Sequence, residues 1–474
     1  MSSTPQAEQA EVTARLADFI VSTSYGDIPD EAKALGRRSI LDSLAVSLSG
    51  SVAEGSQILR RYLDGFGCTG TGSVVFGTDM LLPAPLAVLA NGAAMHADDY
   101  DDTLRARPMI DEFRGSTHPT SPVITALLAA AEKNGGASGK DIMTAYQIGV
   151  ETAAKVNDAA GQRHFSAGYH PTATCCGIGA AAAVSRLMGS SADTTRMAIG
   201  IAASLASGLR KNFGSMMKPF HSGHTAKNGL MAAELARDGF TASPNVLDSP
   251  IGFPEAFGDV LDRGAIMERL GKPWSFLDPG IWLKPHPSGM RTHQGMTKLL
   301  ELIAEHNIKA DQVKNCHVKT HQGVFDTLIQ HDPKTGLQGK FSFEFCAAVL
   351  FVEGRAGFAQ FTDDVVNRAD IRDMMKRISY SAYSQEEFEA NDYINATTLI
   401  DIELIDGKKI SARADYGKGS AEIPMTFDDV IEKMHDCATA TQWPEEKIEA
   451  VVEAVKNFEQ LDDVRVITEN MSAA

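Results

Sequence analysis

From about Glu11 to Asp248, apolar residues recur at helical spacing. Ile40, Leu41, Leu44 and Leu48 mark one run, opened by the acidic pair Asp30-Glu31 after Pro29 and closed at Gly50. The same period predicts helices over 83–97, 121–133, 140–156, 173–187 and 224–237, all rich in Ala and Gly. Small residues let helix axes approach closely, so a tightly packed bundle is expected. From Trp282 the pattern changes. Gln312–Thr320 alternates, and Leu399–Tyr416 reads as two strands about an Asp406-Gly407 turn, with Ile402 and Leu404 matched by Ile410 and Ala412. Phe341–Phe351 and Asp370–Arg377 have helical spacing. Thr426 is an expected N-cap with Asp429 three residues on, and Pro444 suits a first helical position. The reading is a mainly α protein. A large all-helical domain (1–280) is followed by a smaller α/β (α+β) lid domain (281–420), and helices over 421–474 return to the first.

Charge narrows the class of ligand. The 474 residues carry 44 Lys plus Arg against 61 Asp plus Glu, a formal charge of −17. Such a field repels phosphate, which argues against a nucleic-acid or membrane-surface partner and requires any anionic ligand to be held by local cations. The six cysteines form no C-x-x-C pair, so a disulfide framework or zinc ribbon is not expected. The first residues lack the layout of a signal peptide, and no apolar run reaches ~18 residues. The expected setting is the cytoplasm.

Chemistry concentrates in a few places. His96-Ala97-Asp98-Asp99-Tyr100-Asp101-Asp102-Thr103 puts His96, Asp99 and Thr103 on one face if helical, with Asp98 and Asp102 on another. Its carboxylates repel one another unless neutralised. One reading is a solvated helix end; a second is a magnesium site of the all-helical isoprenoid diphosphate type, built on the D-D-x-x-D at 98–102. The second needs a facing metal motif, which Asn391-Asp392 and Asp428-Asp429 do not supply by spacing. The third pairs the carboxylates with histidines and a lysine for acid–base work. His118-Pro119 and His170-Pro171 each precede a predicted helix, where free N–H groups favour carboxylates and an imidazole can move a proton near neutrality. Lys218 before Pro219 is read as extended, with His221 and His224 just ahead of the next helix. Lys284-Pro285-His286-Pro287 and His293 head the second domain. Cys175-Cys176 beside His170 and the glycines of 177–179 read as close packing rather than as a nucleophile or a dinucleotide loop.

Taken together, H-A-D-D-Y-D-D-T (96–103), His118-Pro119, G-Y-H-P-T-A-T (168–174), the block 218–240 opening K-P-F-H-S-G-H, K-P-H-P-S-G-M-R-T-H (284–293) and T-G-L-Q-G-K-F-S (335–342) resemble the MmgE/PrpD family. The resemblance implies a helical domain with an α/β lid, a homodimer, and no metal or organic cofactor. It implies a site lined by Asp99, Thr103, His118, His170, Lys218 and His293. The chain departs from the family pattern in a longer stretch between Thr103 and His118, which adds Arg105, Arg107 and Arg114, and in Val324-Phe325-Asp326 where the decarboxylating members carry a tyrosine. The expected ligand is a small di- or tricarboxylate. Asp99, His118, His170, Lys218 and His293 would be catalytic, with Thr103, Lys218, His221, Lys284, Arg105 and Arg107 binding substrate. The expected reaction is proton abstraction beside a carboxylate, first as a dehydration of the 2-methylcitrate type, then as decarboxylation or epimerisation. A carboxylate-binding homologue without turnover is the non-enzymatic alternative.

Overall fold

A computed structural model describes residues 11–106, 115–258, 261–394 and 396–473. It is mainly helical, as the periodicity predicts, and the chain divides into two compact units. The first comprises the chain up to Ala97, Asp101–Ile281 and the chain from Thr426 on; the second comprises Asp98–Tyr100 and Trp282–Met425.

In the first unit, the helices that matter for the site are α1 (Asp30–Ser51), α2 (Ala84–Met95), α3 (Thr120–Lys133), α4 (Gly139–Ser166), α5 (Pro171–Leu187) and α6 (Met217–Arg237). Their core is built from Ala, Val and Leu, with glycines where axes come closest. A Cβ on Gly223 of α6 would lie 2.0 Å from the Leu89 carbonyl oxygen of α2, and one on Gly92 would lie 2.7 Å from the Gly223 Cα. Gly50 does not end α1, which runs on to Ser51. A Cβ there would meet the Ala94 carbonyl at 1.8 Å, so this glycine serves the contact of α1 with α2.

One helix starts earlier than expected. Lys218, His221 and His224 lie inside α6 rather than in a loop before it. Pro219 falls in the first turn, where its missing N–H would have had no partner in the helix, so the proline does not delay the start. Beyond the second unit, α9 (Phe427–Thr439) opens with the Thr426 capping box, and Lys433 reaches Asp42 of α1 at 2.6 Å in a fully buried ion pair. Pro444 caps the next helix instead of entering it.

The second unit holds a four-stranded sheet of β1 (Val313–Thr320), β2 (Ile378–Ala382), β3 (Thr398–Leu404) and β4 (Lys409–Ala414), in the order β2-β1-β3-β4. The β3–β4 hairpin forms about Asp406-Gly407 with Ile402 opposite Ile410; Ala412 faces Ile400, not Leu404. Helices α7 (His293–His306) and α8 (Phe343–Glu353) bury Met296, Leu299, Phe345 and Val349 in the same core as Val318 and Ile400 of the sheet.

Candidate active site

The acidic stretch is not a helix. Helix α2 ends at Met95, His96 caps it, and Asp99 adopts a left-handed backbone with φ of 50°. The helical-face arrangement that a D-D-x-x-D metal site needs therefore does not form. Each carboxylate instead finds its own partner. Lys340 donates to Asp98 at 2.9 Å and Lys284 to Asp99 at 2.9 Å, both within the second unit. In the first, His96 Nδ1 donates to the two oxygens of Asp101 at 2.8 and 2.9 Å, and the Thr120 hydroxyl donates to Asp102. Burial beside Asp101 and Asp42 pushes the Asp102 carboxyl well above its usual range.

His118 stands next to Thr103 despite the long segment between them. Leu104 and Thr117 exchange backbone hydrogen bonds of 2.8 and 2.9 Å, which bring the two ends of that segment together. The His118 backbone N–H donates to Thr172 at 3.0 Å, tying it to the first turn of α5. Its Nδ1 lies 2.7 Å from the Asp102 carbonyl oxygen. A carbonyl only accepts, so Nδ1 carries the hydrogen and Nε2 of the neutral ring keeps its lone pair. Arg105 is buried just beyond Thr103; Arg107 and Arg114 lie outside the described residues.

His170 caps α5 with the extended backbone that Pro171 imposes. Its ring centroid is 6.5 Å from that of His118 and 6.2 Å from that of His96, and the His96 and His118 rings are 4.6 Å apart. His170 Nδ1 faces His221 Nδ1 at 3.2 Å, so one nitrogen carries the hydrogen and the other receives it. Burial, with His96 and Lys218 nearby, lowers the His221 pKa to about 4. Lys218 is 4% exposed, and its ammonium lies 5.4 Å from the centre of the Phe213 ring, which meets His170 edge-on at 5.1 Å. Thr103, His118, His170, Lys218 and His221 are thus buried together in the first unit with His96 and Asp101.

His293 is engaged by its own loop in the second unit. Its Nδ1 is 3.0 Å from the Met290 carbonyl and its Nε2 is 3.1 Å from that of His286. Burial, with His286 and Lys284 nearby, lowers its pKa to about 3. Cys175 and Cys176 sit inside α5; burial raises the Cys175 thiol to about 12, so it is no nucleophile.

Profiles of the MmgE/PrpD N-terminal and C-terminal domains match residues 14–262 and 286–457. The chain belongs to the MmgE/PrpD family. Relatives within it span nearly the whole length. A human cis-aconitate decarboxylase is 25% identical over 96% of this chain and 94% of its own. A cis-aconitate decarboxylase-like protein of Aspergillus oryzae is 26% identical over 98% of each chain, and a cis-aconitate decarboxylase of Aspergillus terreus is 24% identical over 97% and 95%. None of the three bears the name of a dehydratase. His96 and Asp101 form a buried pair that the sequence pattern does not bring together. Their spacing of five suits neither a helix face nor a strand, so only the turn at Asp99 reveals the pair. Ligand-type atoms of His96, Asp101 and His118 lie within 4.8 Å of one another, a donor set able to take a divalent ion.

Proposed function

We propose that this protein is a lyase that acts on a small polycarboxylate without a metal or organic cofactor, and that the reaction is decarboxylation of a cis-aconitate-like acid. The observation that carries the reading is the buried group of His118, His170 and His221 with Lys218, inside a molecule of charge −17. Burial strengthens what the Lys218 ammonium does for a carboxylate. The relatives favour loss of carbon dioxide over the dehydration expected from the motifs.

When the carbon–carbon bond to the departing carboxylate breaks, its electron pair stays on the substrate carbon and carbon dioxide leaves. The remaining carbanion needs a positive neighbour and then a proton. Lys218 supplies the charge. His118, placed by Asp102 and Thr103, would first take a proton from water at Nε2 and then pass it to the carbanion, which returns the ring to its neutral form with hydrogen on Nδ1. Lys284 and the buried Arg105 are the further groups proposed to bind substrate, and Asp99 is proposed as the catalytic carboxylate that orients and neutralises its cationic partner, Lys284, at 2.9 Å. We also propose that the protein is a homodimer, and that it works in the cytoplasm, where its cysteines, all unbonded, would stay reduced.

Incubation with citrate, methylcitrate, aconitate, tartrate and iminodisuccinate in D₂O, followed by NMR, tests the reaction. The expected result is a product of aconitate one carbon shorter with deuterium on carbon. Water loss would make the protein a dehydratase, and deuterium on an unchanged skeleton an epimerase. No turnover of any acid would leave a carboxylate-binding homologue.

A further inference from the structure

Lys340 lies at the end of the short helix Gly336–Gly339 and is 3% exposed. A buried ammonium needs close acceptors, and this one has two from a single residue: the Asp98 carbonyl oxygen at 2.7 Å and Asp98 Oδ1 at 2.9 Å. Lys284 repeats the arrangement one residue on, with the Asp99 carbonyl oxygen at 2.8 Å and Asp99 Oδ1 at 2.9 Å. Two adjacent aspartates are thus each straddled by their own lysine. The segment is pinned again where the Tyr100 hydroxyl donates to the Pro285 carbonyl at 3.1 Å. The backbone of Lys340 also takes part, since its carbonyl accepts from Gly289 N–H at 2.8 Å within the loop that carries Lys284. Asp99, held by the second clasp, has a left-handed conformation, which a side chain other than glycine seldom holds without support.

We propose that Lys340 is a positioning residue: by clasping Asp98 it holds the left-handed turn that presents the Asp99 carboxylate to Lys284. The inference rests on the roles proposed above for Lys284 as a substrate-binding group and Asp99 as the carboxylate that orients it. Lys340 contacts no reacting atom in this account. It acts through Asp98.

The test uses the full chain with Lys340→Met, Lys340→Arg, Asp98→Asn and the double variant Lys340→Met/Asp98→Asn. Turnover of the acid found for the wild type is measured along with amide hydrogen exchange in peptides covering residues 98–100. Misplacing a substrate-handling group is expected to lower kcat in Lys340→Met by ~100-fold, with KM within ~3-fold of wild type. Exchange over 98–100 should accelerate in Lys340→Met, and Lys340→Arg should recover most of both effects. The double variant should be no worse than the worse single one, because both remove the same contact. Wild-type kcat and exchange in Lys340→Met, or losses that multiply in the double variant, would overturn the proposal. If Lys340→Met does not fold, Asp98→Asn carries the test, and unchanged kcat and exchange there would overturn it equally. If the wild type turns over no acid, the assigned function has failed, and exchange over 98–100 alone decides whether Lys340 holds the turn.

Discussion

A histidine works as a base only when one ring nitrogen keeps its lone pair, and for His118 the Asp102 carbonyl decides which nitrogen that is. Lys218 and His170 stand in the same buried group. Lys218→Ala and His170→Ala should each lower kcat/KM by at least ~100-fold, the usual loss when charge stabilisation or proton transfer is removed. Steady-state rates near wild type in either variant would remove that residue from the site. His221 and His293 make a second, independent prediction. Their folded pKa values, about 4 and about 3, lie below the ordinary imidazole value. Between those values and about 6.5 the unfolded chain binds protons that the folded chain refuses. Stability should therefore fall as pH drops from about 6.5 towards 4. His293→Gln should flatten that slope in urea denaturation series at stepped pH; an unchanged slope would show that the ring titrates normally in the folded protein.

At the scale of elements, what the sequence made legible was set by period and by local turn chemistry. The Ala- and Gly-rich runs became the close-packed helices α2 to α6, and Asp406-Gly407 turned the hairpin as read. The His-Pro corners at 118 and 170 came out at helix starts because proline restricts the residue before it. Two features escaped. The start of α6 was hidden because a first-turn proline looks like a loop proline. The stretch 96–103 looked helical because nothing in its composition marks a turn; its shape is imposed by Lys340, Lys284, His96 and Thr120, which take up its carboxylates one by one. The helix contacts give a prediction at this scale. A methyl group at Gly223 would overlap the Leu89 carbonyl, so Gly223→Ala should destabilise the protein by ~1–3 kcal/mol. A denaturation midpoint equal to wild type would mean that α2 and α6 can move apart freely.

Over the whole molecule, acidity and ligand pull in opposite directions: a chain of charge −17 is assigned a polyanionic substrate. Against that net charge stands the local, buried ammonium of Lys218, proposed to meet the substrate. No helix among the described residues is long and apolar enough to cross a membrane. The helix Glu54–Asp64 leaves Ile58 and Tyr62 exposed, with Phe66 just beyond, an apolar row that a second copy could cover. Light scattering during size exclusion should return twice the chain mass of 50.8 kDa; the chain mass itself would contradict the homodimer. The most direct test of the central claim is release of carbon dioxide from cis-aconitate, measured side by side for chelator-treated wild type and Lys218→Ala. Steady release by the wild type despite the chelator is expected, with release at least ~100-fold slower in the variant. No release by the wild type, release that returns only with added metal, or equal rates in the two proteins would contradict it.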